Sequence, residues 1–147
     1  MKKMILIFGV IIVVVVVLSL VFDWGRKDYT ITPPADKSDL IQVFYPETGN
    51  TVKSPLHIFG KARGSWFFEA SFPVILKDMN GNIISTGIAT ADGDWMTTEF
   101  VDFTADLEFN IPAETAISIG ELILKKDNPS GLPENDDSIS IPVRFVL

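Results

Sequence analysis

The feature that most constrains this chain is a continuous apolar run over residues 4–22, opened by Met4, closed by Phe22 and preceded only by Met1, Lys2 and Lys3. As a helix rising about 1.5 Å per residue it spans about 28 Å, close to the roughly 30 Å of a bilayer's hydrocarbon core. Val13, Val14, Val15, Val16 and Val17 are poor helix formers in water. In lipid, however, every backbone amide must be paired within the segment, and helix is the only single-segment solution. The transfer terms of the Val, Ile, Leu and Phe side chains sum to roughly −6 kcal/mol in favour of insertion, as an upper estimate.

A cleavable secretory leader has an apolar core of about 7 to 15 residues and then small residues at the cut. Here the run ends Leu18-Ser19-Leu20-Val21-Phe22-Asp23, with no A-x-A-like pattern and no cysteine for a lipid anchor. The residues therefore favour an uncleaved transmembrane signal anchor over a cleaved leader or a buried core helix. Lys2, Lys3 and the terminal amine barely outweigh Arg26 and Lys27 as an orientation signal. An apolar segment at the very start of a chain nonetheless resembles an export signal. The expectation is a single-pass protein of the cytoplasmic membrane, with residues 1–3 cytoplasmic, residues 4–22 spanning the bilayer and the C-terminal domain extracytoplasmic. Trp24, just past the run, suits the membrane interface.

Residues 23–39 combine Pro33-Pro34, charges and no apolar period, and read as a linker stiffened toward polyproline geometry. Beyond Lys2 and Lys3, ten basic residues stand against nineteen acidic ones, a formal net charge of −9. That balance argues against nucleic acid or an anionic lipid surface as partner, because both require a basic patch. With no cysteine there is no disulfide framework, thiol nucleophile or Cys-based zinc site. Roughly 105 remaining residues can bury somewhat over 60% of their unfolded surface, enough for one domain.

Over residues 40–147 the dominant signal is period 2, and no stretch reads as helix. Leu56, Ile58, Gly60 and Ala62 alternate with His57, Phe59, Lys61 and Arg63. Phe68, Ala70, Phe72, Val74 and Leu76 form a second inward set, Phe103, Ala105, Leu107 and Phe109 a third, and Ile139, Ile141, Val143 and Phe145 a fourth. Between them fall Thr48-Gly49-Asn50, Asn80-Gly81, Asp92-Gly93-Asp94 and Asn128-Pro129-Ser130-Gly131 as turns. Asn80-Gly81 is the strongest of these and predicts a type I′ hairpin, with positive φ at both central residues. About seven short strands at this spacing predict an all-β fold, an antiparallel β-sandwich of immunoglobulin type. Pro73 and Pro142 cannot donate to a ladder, so their strands are expected at sheet edges or beside bulges. Gly60 and Gly120 are expected where a bulge or another backbone comes close.

Ile41-Gln42-Val43 and Pro46-Glu47-Thr48-Gly49, followed by Val52-Lys53-Ser54-Pro55-Leu56-His57-Ile58-Phe59-Gly60-Lys61-Ala62, resemble the start of the bacterial spore germination immunoglobulin-like domain family, Gmad2. The likeness continues through Phe68-Glu69-Ala70-Ser71-Phe72-Pro73-Val74, Asp78, Gly81, Gly120-Glu121-Leu122 and Ile141-Pro142-Val143-Arg144. It covers nearly all of residues 41–147, with order and spacing more specific than any single piece. The resemblance implies an immunoglobulin-like sandwich on an exported or envelope protein, usually without enzymatic activity, and brings no catalytic residues.

His57 is the sole histidine and has outward parity, with no cysteine or second histidine to share a metal or activate a nucleophile; it reads as a solvated strand residue. Asp92, Asp94 and Asp102, or residues 127–137 with Glu134 and Asp136, offer oxygen ligands without the D-x-[DN]-x-[DN]-G spacing of a calcium loop. They read as solvated loops, with weak calcium binding the alternative; no cofactor is expected. Trp66, Phe67 and Phe68 are consecutive and cannot all point inward from a strand. They form either a core cluster at a strand start or an apolar patch for a protein partner or for stacking on sugar rings. Trp66 and Phe67, with Phe59 on its outward parity, are the candidate surface. Trp95 is expected to anchor its turn in the core. Three classes of function follow: a non-enzymatic binding module contacting an envelope protein or cell-wall polymer, a structural spacer or subunit of an envelope complex, and, with least support, an envelope hydrolase.

Overall fold

Side chains that alternate between apolar and polar build strands with one wet face, and the computed structural model contains eight of them among the residues it describes, 31, 33–111 and 119–145. They are β1 (Ile41–Tyr45), β2 (Thr51–Val52), β3 (Leu56–Arg63), β4 (Ser71–Asp78), β5 (Ile83–Ala91), β6 (Phe100–Leu107), β7 (Ile119–Lys125) and β8 (Ser138–Phe145). The two-residue β2 is the strand beyond the expected seven. The predicted membrane helix, with Met4, Phe22 and Trp24, lies outside the described residues.

The strands hydrogen-bond in the order β1-β3-β6-β5-β4-β7-β8-β2, antiparallel throughout except for β2 beside β8. β3 and β6 stay in register from Leu56↔Leu107 to Arg63↔Phe100, whereas β5 and β6 share only Thr90↔Thr104 and Ala91↔Phe103. At that short joint the sheet curls, and β1-β3-β6 closes over β5-β4-β7-β8-β2. Phe72 of β4 meets Phe103 of β6 edge-on at 4.9 Å between ring centroids.

The inward parity is the core. Leu56, Ile58, Ala62, Phe72, Val74, Leu76, Phe103, Ala105, Leu107, Ile139, Ile141, Val143 and Phe145 are all buried. Each large member contributes about 1.5–3 kcal/mol through removal from water. Trp95, partly buried, packs against this cluster as expected.

Three local expectations are corrected. β4 begins at Ser71, not at Phe68: Phe68 and Ser71 exchange backbone hydrogen bonds of 3.0 and 3.1 Å around Glu69 and Ala70, at φ 50° and 60°. That is the positive-φ pair of a type I′ turn, made without glycine or asparagine. The Asn80-Gly81 hairpin is wider than predicted, because only Gly81 has positive φ (84°) and Met79, Asn80 and Gly81 bridge the Asp78–Asn82 pair. Its cause is the Asp78 carboxylate, which accepts from the Asn80 N–H, the Asn82 N–H and the Asn82 side-chain amide, each at 2.8 Å. Neither proline marks an edge strand: β4 is interior and β8 has neighbours on both sides. Pro73 sits one residue ahead of Val74, where pairing with β7 starts, and Pro142 precedes the β8–β2 pairing that starts at Arg144.

The end of the predicted linker is joined to the sandwich. Lys37 donates to the Asp137 carboxylate and, at 2.9 Å, to the Ser138 carbonyl, while the N–H groups of Leu40 and Ile41 donate back to the Lys37 carbonyl. Pro34 lines a cleft of about 260 Å³ with Val43, Pro46, Thr48, Ile139 and Ile141. Residues 33–39 therefore run as a strap over the seam between β1 and β8.

Candidate interaction surface

The aromatic residues picked out by sequence separate on folding. A 3-10 turn, Gly64–Trp66, interrupts the alternation and turns Trp66 and Phe67 inward together, 1% and 4% exposed. The Phe67 ring centroid lies 5.2 Å from that of Phe72. Neither residue presents a side chain to a partner, and both leave the candidate surface; Phe68 stays on the rim of the β3–β4 connection, 39% exposed.

Phe59 remains, 47% exposed on the outer face of β1, β3 and β6, and it has company. A register irregularity between Val43 and Tyr45 sets Tyr45 opposite Phe59 and leaves Phe44 on the outside, also 47% exposed. The Phe44 and Tyr45 centroids lie 6.4 and 6.2 Å from that of Phe59, Tyr45 nearly parallel to it at 16°. Lys61 Nζ is 5.9 Å from the Phe44 centroid and 5.0 Å from that of Phe100; the Arg63 guanidinium stands 4.0 Å over Phe100. Such contacts are worth about 0.5–1 kcal/mol each at exposed sites.

Arg63 is held further by the Asp39 carbonyl at 3.0 Å, the Thr98 carbonyl at 3.2 Å and the Glu99 carboxylate at 3.7 Å. Sequence parity found Phe59 and both cations on one face. It did not find Tyr45, because the register irregularity that sets Tyr45 opposite Phe59 breaks the alternation. The nearest sequence signal is Phe44 at the polar parity of Ile41-Gln42-Val43-Phe44.

At the lower end of this face His57 Nδ1 contacts the Asp106 carboxylate, with both side chains more than two-thirds exposed. No Ser, Thr or Lys completes that pair into an activated nucleophile among the described residues. The acidic loops are engaged with their own frames: the Asp94 carboxylate accepts from the Met96 N–H at 3.0 Å, and Asp136 accepts from the Asn128 amide at 2.8 Å with Lys125 at 3.6 Å. The Asn128 bond, against a smaller desolvation effect and with help from Lys125, holds Asp136 below the usual aspartate range. Among the described residues, no three His, Cys, Asp or Glu side chains converge as a metal site, and no helix is long and apolar enough to cross a membrane. What the outer face of β1, β3 and β6 can do chemically is stack rings and offer fixed cations at a sheet edge.

Comparison with known proteins agrees with this architecture. The family model for the immunoglobulin-like domain of bacterial spore germination matches residues 40–125. No curated protein and no solved structure matches the chain.

Proposed function

The chain belongs to the Gmad2 family of immunoglobulin-like domains of bacterial spore germination, and from that premise we propose that it is a membrane-anchored, non-enzymatic interaction module acting outside the cytoplasm at the bacterial cell envelope. The observation that carries the reading is the exposed pair Phe44 and Phe59, backed by the partly buried Tyr45 and flanked by Lys61 and Arg63 at the free edge of the sheet. Two phenylalanines half in water, packed on each other, leave apolar area that a partner can cover. Display at the envelope is supported by the apolar run over residues 4–22 and its position in the chain. The partner is an envelope protein or a cell-wall polymer, since stacked rings beside cations suit either a protein hot spot or a sugar ring.

The test uses the full chain in native membranes, with a photoreactive residue at position 59, alongside retention on purified cell wall. The expected result is a discrete adduct or wall retention, reduced at least tenfold by Phe44→Ala combined with Lys61→Ala. Absence of both adduct and retention, or binding unchanged in the double variant, contradicts the proposal.

A further inference from the structure

The second outer face, on β5, β4, β7 and β8, has a different character. Its central row reads Thr86, Ile75, Ile123 and Ser140 across the four strands, two isoleucines opposite each other between two hydroxyls. One row up, Pro73 pairs with Ile88, which is 59% exposed. One row down, Lys77 stands opposite Glu121. Two further cations share this face, Lys125 in the row above, 3.6 Å from the Asp136 carboxylate of its own chain, and Arg144 toward the far end of β8. The central row itself carries no charge and has one opposed cation and anion, Lys77 and Glu121, directly below it, an arrangement closer to an interface core than to a solvated sheet face. The acidic surplus of the chain does not fall here: Asp102 and Asp106 project from β6, and Asp92 and Asp94 from a loop.

The two charges do not satisfy each other. No ion pair joins Lys77 to any carboxylate among the described residues, and the Glu121 carboxylate instead takes a 2.5 Å hydrogen bond from Ser140 Oγ. Their placement is, however, self-complementary. Two such faces, laid against each other with strands nearly aligned, as sheets pack in a sandwich, share a twofold axis running along the strands between β4 and β7. That axis carries β4 onto the β7 position and β5 onto the β8 position. Ile75 then covers the Ile123 of the second copy, Thr86 covers its Ser140, and Lys77 meets its Glu121, with every contact made twice.

We propose that this face is the contact between two copies of the chain. A partner lacking the matched order of cation and anion forfeits both ion pairs, whereas a second copy supplies them by symmetry. The surface is separate from the aromatic face of β1, β3 and β6, so failure of the binding experiment at Phe59 leaves this inference standing, and the reverse holds.

Charge exchange tests it. The mass of the full chain in detergent micelles is measured by sedimentation equilibrium for the wild type, Lys77→Glu, Glu121→Lys and the double variant. The wild type is expected to be a dimer, each single change to weaken it by about tenfold or more through two like-charge contacts, and the double variant to dimerise again. Recovery in the double variant also shows that the single changes acted on charge and not on folding. A monomeric wild type overturns the proposal, as does a dimer indifferent to either single change, which would locate association in the apolar run. Capture of an unrelated protein by a photoreactive residue at Ile88, with the chain itself monomeric, overturns it too.

Discussion

A methyl group added at Gly60 would penetrate the Gln42 carbonyl oxygen and stand 2.8 Å from Phe103 Cζ. The first obstacle is backbone in a paired strand, which cannot step aside. At Gly87 the obstacle is Leu107 Cδ2 at 2.5 Å, the free end of a flexible side chain. Gly60→Ala is therefore expected to cost about 3 kcal/mol, at the upper end of overpacking penalties, and Gly87→Ala about 1 kcal/mol. Urea unfolding of the two variants gives the comparison. Ala70, at φ 60°, is the opposite case. Ala70→Gly relieves a left-handed conformation and is expected to raise stability by about 1 kcal/mol in the same assay. Gly60 was legible in the sequence as a close approach, since a glycine within an alternating strand has few other uses. Glu69-Ala70 was not, because neither residue is a turn former and the pair sat inside an apparent strand that runs through Phe68 and Phe72.

Among elements, the strap over residues 33–39 departs most from sequence expectation. Pro33-Pro34 correctly marks extended chain, but the Lys37–Asp137 contact closes a loop of a hundred residues, and no local pattern announces it. Burial raises the Asp137 pKa, and the Lys37 ammonium and Ser138 N–H together outweigh it, leaving the group below the ordinary 3.8. A carboxyl whose folded pKa is depressed stabilises the fold at pH above its unfolded value, and the contribution is lost as pH falls through the folded pKa. Lys37→Ala is thus expected to lower the urea midpoint at neutral pH and to match the wild type once pH drops well below 3.8. A difference between the two proteins that persists unchanged in acid would mean that Lys37 acts through packing alone. Hydrogen exchange adds a local readout, because the Leu40 and Ile41 amides bond the Lys37 carbonyl and should exchange faster in the variant.

For the molecule as a whole, alternation named the faces and topology decided what lies on each. Parity placed Phe59, Lys61 and Arg63 outside and Leu56, Ile58 and Ala62 inside, as found. It was silent on strand order, which sets Ile75 beside Ile123 and Lys77 beside Glu121 although more than forty residues separate each pair. It left Trp66 and Phe67 open between a core cluster and a surface patch, and the structure takes the core alternative, because a single 3-10 turn is enough to reset the phase of a strand. One body thus presents an aromatic and cationic face and, behind it, a face whose central row is uncharged and whose Lys77 and Glu121 stand opposite each other, a division suited to binding a partner on one side and a second copy on the other. The proposed display at the envelope requires the body to stand outside the cytoplasm, held by the apolar run over residues 4–22. The chain has no cysteine, so Met96→Cys, at a position 77% exposed and on neither face, reports that location directly. Treated with a membrane-impermeant maleimide, the full-length variant is expected to be modified as completely in intact cells as in lysed ones. Modification only after lysis would contradict the account.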